Sequence, residues 1–186
     1  MSSSYKDWPS VTRVLSPWNN FSNVHPDILE QACLRGTITH SYVEKIIKGQ
    51  LTAELALMFV PNEYKGYVES FLKWHDLVDE VLMCEKELVC FKNRFIGHPD
   101  LVCRMKNGTL TVIDFKTAKA KSKVWRLQLR AYNYLVETEL GNPPDRSGTL
   151  RLSPKGKTPI FDYYDNSYTD LAIFFSALNV WRYINQ

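Results

Sequence analysis

The 186 residues contain no closely spaced cysteine pair, no long apolar run and no internal repeat. Each absence excludes a class of protein. Cys33, Cys84, Cys90 and Cys103 are scattered singly, whereas zinc and iron–sulfur sites announce themselves by close pairing, so these thiols read as buried and free. Nowhere do roughly 18 to 20 apolar residues run together, which excludes a hydropathic spanning helix. The first eight residues lack the apolar centre of a secretory signal, and the expected location is a reducing cytoplasm. Low-complexity stretches and long linkers are missing too, and the length reads as one domain spanning 1–186.

Hydrophobic residues make up 45% and charged residues 23%, proportions that exclude wholesale disorder. The net charge is +3, from 23 basic and 20 acidic side chains, too small an excess to mark a nucleic-acid binder by itself. Its distribution says more. Between Asp114 and Glu137 there is no acid, while Lys116, Lys119, Lys121, Lys123, Arg126 and Arg130 are basic. Such a run attracts phosphates or simply forms a solvated helix face.

Residues 1–25, rich in Ser, Pro, Trp and Asn, read as an irregular lead-in. Asp27 and Glu30 suggest a capping box opening a helix over 27–47, ended by Gly49. A short helix follows over 52–59. The spacing of Tyr67, Phe71, Trp74 and Val78 then predicts one long amphipathic helix over 62–82. Strands are expected over 81–91, 95–104 and 109–115, the last two joined by an Asn107-Gly108 turn. A helix over 122–139 stops at Gly141. A hairpin over 149–152 and 158–163 precedes a final helix that Ser167 and Asp170 cap.

Chemistry concentrates between Gly97 and Lys116. Asp114 and Lys116, two apart on a strand, point to one face. Asp100, expected on the neighbouring strand, can join them. Two converging carboxylates repel unless a cation lies between them, and hard oxygen donors suit Mg²⁺ or Mn²⁺. A lysine beside such a cation can orient a water for attack, which suits phosphodiester hydrolysis.

Gly97-His98-Pro99-Asp100, Val112-Ile113-Asp114-Phe115-Lys116 and Gln128-x-x-x-Tyr132 together resemble the PD-(D/E)XK nuclease superfamily, in its RecB-like exonuclease branch of small phage-type enzymes. His40, on Arg35-Gly36-Thr37-Ile38-Thr39-His40, matches the upstream histidine of that branch. The resemblance implies an α/β fold, a restriction-endonuclease-like core with a mixed central β-sheet flanked by helices. It implies a helical elaboration at about 50–82, a catalytic core at 83–139, and a hairpin plus C-terminal helix at 148–186.

It also implies roles. Asp100, Asp114 and the carbonyl of Phe115 would hold one or two Mg²⁺ or Mn²⁺ ions, assisted by His40 and Glu85, with Glu87 as second choice. Lys116 would position the attacking water. Gln128 and Tyr132, one helical turn apart, would brace the site or touch substrate. Arg35, Lys119, Lys121 and Lys123 would meet the phosphate backbone. Some relatives carry a four-cysteine iron–sulfur cluster, but no cysteine follows Cys103, so none is expected here.

The function so implied is a metal-dependent DNA exonuclease with little sequence specificity, in a bacterial or phage-infected cell, with recombination or replication proteins as candidate partners and no membrane. A structure-specific endonuclease, a nuclease of RNA and a non-catalytic nucleic-acid-binding or assembly protein remain open alternatives. Tyr67, Phe71 and Trp74 suit core packing better than base stacking at their helical spacing.

Overall fold

The computed structural model describes residues 5–19 and 21–185; positions 1–4 and 20 of the expected lead-in lie outside the described residues. In chain order the elements are α1 (Val11–Leu15), α2 (Pro26–Ile47), α3 (Ala53–Phe59), α4 (Asn62–His75), β1 (Val78–Cys84), β2 (Leu88–Cys90) and β3 (Phe95–Gly97). They continue with β4 (Leu101–Met105), β5 (Leu110–Lys116), α5 (Val124–Leu140), β6 (Arg146–Arg151), β7 (Ile160–Tyr163) and α6 (Tyr168–Ile184).

A five-stranded sheet, ordered β1-β4-β5-β6-β7, occupies the centre, and β2 pairs with β3 in a separate two-stranded ribbon. The β5–β6 pair is parallel and the other pairs of the large sheet are antiparallel, so the sheet is mixed. The parallel pair needs a crossover, and α5 supplies it. On one face α1, α5 and α6 pack through Val11, Leu129, Leu135, Phe174 and Leu178 against Val112. On the other, α2, α3 and α4 pack through Val43, Ala56 and Phe71 against Ile113 and Phe115. Alternating residues of β5 therefore enter opposite cores. This is the expected α/β architecture with helices on both sides of a mixed sheet. Among the described residues no helix is long and apolar enough to cross a membrane.

The lead-in is not irregular throughout. Ser10 Oγ accepts the Arg13 N–H and caps α1, whose Val11, Val14 and Leu15 follow helical spacing and are buried. α2 starts one residue before the expected Asp27 cap. His25 Nδ1 accepts the Asp27 N–H there, which leaves Asp27 in the first turn. Lys48 is its C-cap, and Gly49 follows in the left-handed region at φ 67°.

The expected helix over 62–82 stops at His75. Residues Val78 and Val81 leave it to pair with Met105 and Cys103 of β4, a long-range pairing that overrides local helical spacing. Tyr67, Phe71 and Trp74 are buried, as core packing requires. The expected strand over 81–91 divides where Glu85 turns left-handed at φ 52°. The strand over 95–104 divides at His98-Pro99-Asp100, since proline offers no N–H to a ladder. The Asn107-Gly108 turn, the β6–β7 hairpin and the Ser167 cap form as expected. Cys90 and Cys103 are buried free thiols, but Cys33 is exposed and Cys84 only part-buried. Cys33 lies on the first half of α2, which projects beyond the packed core.

Candidate active site

β5 carries the centre of the site. Leu101 pairs with Ile113, so Asp100, one residue earlier, comes level with Asp114 across the ladder. Asp100 sits on the loop ahead of β4 rather than on a strand, and Phe115 N–H donates to its Oδ2 at 2.6 Å. Gly97 ends β3 just ahead of this loop, where a Cβ would meet Leu135 Cδ1 at 2.5 Å, so any side chain there would displace the tip of Leu135.

Asp114, 1% exposed, faces α5. Gln128 Nε2 donates to its Oδ1 at 3.0 Å and to the Tyr132 hydroxyl at 3.1 Å. Lys116 Nζ lies 2.5 Å from Asp114 Oδ2 and donates to Gln128 Oε1 at 3.3 Å. Asp114 thus meets the Lys116 ammonium through Oδ2 and the Gln128 amide through Oδ1. The Lys116 ammonium also lies 5.6 Å from the centre of the Trp125 ring, a cation–π partner that no sequence signal marked.

His40 reaches the site from the middle of α2. Its Nε2 is 3.0 Å from the Phe115 carbonyl oxygen and its Nδ1 is 3.6 Å from Asp100 Oδ2. With Nε2 donating, Nδ1 turns a lone pair toward a carboxylate. Glu85 completes the group: donor atoms of His40, Glu85 and Asp100 lie within 4.8 Å of one another. The left-handed backbone of Glu85, an uncommon conformation for a residue with a side chain, occurs at the point that brings its carboxylate there. Glu87, the second choice, instead sits outside the strands and meets His98 at 3.3 Å.

Electrostatics follow from this crowding. Burial, with Asp114 adding to it, holds the Asp100 carboxyl well above the ordinary carboxylate range. Burial and then Asp100 push Glu85 up to about 7. Burial lowers the His40 imidazole despite the nearby Asp114. For Lys116 burial works downward, yet Asp114 and Asp100 more than offset it and hold the ammonium above its ordinary value. Lys116 is thus firmly cationic. The donor set (three acidic side chains, an imidazole and a backbone carbonyl) fits a hard divalent cation.

His40, Glu85, Asp100, Asp114, Lys116, Gln128 and Tyr132 line one cavity of about 330 Å³. The remaining expected residues do not join them. Arg35 stands to one side, its Nε donating to Thr117 Oγ1 at 3.3 Å. Lys121 pairs with Asp162 at 2.6 Å, Arg126 pairs with Asp170 at 2.9 Å, and Arg130 is buried. Exposed Lys119 and Lys123 make no ion pair among the described residues and line a different cavity or none. Half of the basic run is therefore committed to the fold: Arg126 ties α5 to α6, Arg130 is buried, and Lys121 ties the segment ahead of α5 to β7. Ser10, Val11 and Thr12 line the cavity although sequence reasoning gave them no role. Their visible signal was the capping serine ahead of Val11, Val14 and Leu15.

The PD-(D/E)XK nuclease superfamily model matches residues 59–177, which include Glu85, Asp100, Asp114, Lys116, Gln128 and Tyr132. The chain belongs to this superfamily. Membership in the nuclease superfamily points to metal-dependent nuclease activity, and the His40, Glu85 and Asp100 cluster is a compatible place for a metal. His40 and Arg35 lie upstream of the matched segment. No curated protein matches the chain in sequence. Among solved structures, the crystal structure of SSO0001 is similar, with 13% identity and a TM-score of 0.41 over 82% of this chain and 75% of that one.

Proposed function

We propose that this chain is a metal-dependent DNA exonuclease of the RecB-like branch, built as one nuclease domain. The observation that carries the reading is the convergence of Asp100, Asp114, Lys116, His40 and Glu85 on one cavity with Gln128 and Tyr132 behind them. Asp100 and Asp114, with the Phe115 carbonyl, His40 and Glu85, would hold Mg²⁺ or Mn²⁺. When bound there, such a cation would neutralise phosphate charge and make water a better nucleophile at neutral pH.

The chain's own residues do the rest. Lys116, held cationic by Asp114 and Asp100, would position water and stabilise developing negative charge. Gln128 fixes Lys116 and Asp114 together through its two ends. Tyr132, whose hydroxyl burial and nearby carboxylates hold neutral, braces Gln128 from below. Water oxygen would add to phosphorus as the bond to the leaving sugar oxygen breaks, with the proton of the attacking water passing to solvent and a solvent water protonating the leaving oxygen. Lys119 and Lys123 would give weak, sequence-independent contacts to the strand.

The test is a time course on 5′- and 3′-labelled single-stranded, duplex and RNA substrates with Mg²⁺ or Mn²⁺, beside Lys116→Ala and Asp114→Asn. Metal-dependent loss of nucleotides from one DNA end, absent in both variants, is expected. No metal-dependent cleavage of any substrate would overturn the reading, and internal cuts would replace exonuclease with endonuclease.

A further inference from the structure

One wall of the cavity comes from outside the segment that the superfamily model matches. Pro9 and Ser10 run beside β3: the Pro9 carbonyl accepts the Ile96 N–H at 3.0 Å, and Ser10 forms a parallel bridge to Ile96. Val11, Val14 and Leu15 then anchor α1 in the same core as Phe95, Leu129 and Tyr132, all at most 3% exposed. Such burial of aliphatic side chains makes the segment a fixed part of the fold rather than a loose tail. Its Ser10 and Thr12 hydroxyls lie 3.1 Å apart, on residues that line the cavity with Asp100 and Lys116.

We propose that residues 9–15 are an end stop, so that only the terminal nucleotide of a strand enters the site and the Ser10 and Thr12 hydroxyls hold it. The proposal rests on the phosphodiesterase reading and deepens it. Three observations support it. The cavity of about 330 Å³ is at the small end of ligand pockets and matches a single nucleotide in size. A strand continuing beyond it on this side would have to displace a helix whose apolar residues are fully buried. Each hydroxyl both donates and accepts, which suits phosphate oxygens and sugar hydroxyls alike. Ser10 Oγ accepts the Arg13 N–H at 3.1 Å, and one proton of the Ser10–Thr12 pair bridges the two hydroxyl oxygens, which leaves the other proton for a ligand.

The full chain would be given a linear single strand and a covalently closed circle of the same sequence, with Mg²⁺ or Mn²⁺. Turnover of the circle is expected to be on the order of 100-fold slower. Ser10→Ala/Thr12→Ala is expected to raise KM on the linear strand about tenfold with kcat kept, and to lower the melting temperature by about 2–4 °C because Ser10 also caps α1. Thr12→Ala alone leaves that cap in place and is expected to raise KM with the melting temperature unchanged. Linear strands carrying a terminal phosphate or a terminal hydroxyl distinguish which group the pair receives. A double variant with wild-type KM would overturn the end stop while leaving the exonuclease reading intact, whereas circles cut as fast as linear strands would overturn both. If nothing is cut, that reading fails separately. The end stop is then judged by binding of fluorescent linear and circular oligothymidine in Ca²⁺, and equal affinities unaffected by the double variant would overturn it.

Discussion

His40 Nε2 and the Phe115 carbonyl oxygen lie 3.0 Å apart, although 75 residues of chain separate them. That contact ties the helical layer to the end of the central strand and turns His40 Nδ1 toward Asp100. His40→Ala should therefore weaken metal binding at least tenfold while leaving the fold assembled. Isothermal titration with Mn²⁺ beside a melting curve in EDTA measures both, and wild-type Mn²⁺ affinity in the variant would count against a role for the imidazole.

Lys116→Ala should lower the cleavage rate on the order of 10²- to 10⁴-fold with strand affinity largely kept. It also strips Asp114 of its counter-charge. Leaving a buried carboxylate unpaired costs about 3 kcal/mol, so the metal-free variant should melt earlier than the wild type and gain more from added Mg²⁺. Equal Mg²⁺-induced shifts in the two proteins would contradict this account.

Glu85 and Asp100 both have carboxyls raised above their ordinary values, Glu85 to about 7. A raised folded value means that protons bind the native state more tightly than the unfolded one. Their contribution to metal-free stability is therefore fully present at acid pH and lost as the pH climbs through about 7. Melting temperature in EDTA should fall from pH 5.5 to 8, less steeply in Glu85→Gln. Because metal and proton compete for these oxygens, Mn²⁺ should stabilise the protein more at pH 8 than at pH 5.5.

Gln128→Leu removes a bridge between Lys116, Asp114 and Tyr132. Hydrogen bonds to charged groups contribute about 1.5–3 kcal/mol, which predicts a tenfold to hundredfold slower rate. Tyr132→Phe removes only the outer member and should cost a few-fold. Matched kcat measurements would reveal a reversed order, which would place Tyr132 in contact with substrate instead.

Salt dependence should divide the basic run. Lys119→Ala and Lys123→Ala should each reduce the salt slope of single-strand binding by about 0.7, the value for one phosphate contact. Lys121 is held by Asp162, and Lys121→Ala should change the slope less. Binding isotherms from 50 to 300 mM salt would expose the contrary pattern, in which Lys121 dominates.

Local chemistry in the sequence determined much of this protein. The Asn107-Gly108 turn, the Gly141 stop and the Ser167 cap are each fixed by one or two neighbouring residues, and alternation along a strand put Asp114 and Lys116 on one face. Helical periodicity likewise put Gln128 beside Tyr132. The tertiary structure alone decided where those signals lost to distant partners. Val78 looks helical from its neighbours and becomes a strand because β4 offers it a ladder. Lys121 looks free and is spent on Asp162, since charge pairing depends on what folds alongside and not on what precedes it. Absence of acids in the sequence did not mean absence of acids in space. The run after Lys116 is acid-free along the chain, yet Asp162 and Asp170 neutralise half of its outer cations across the fold.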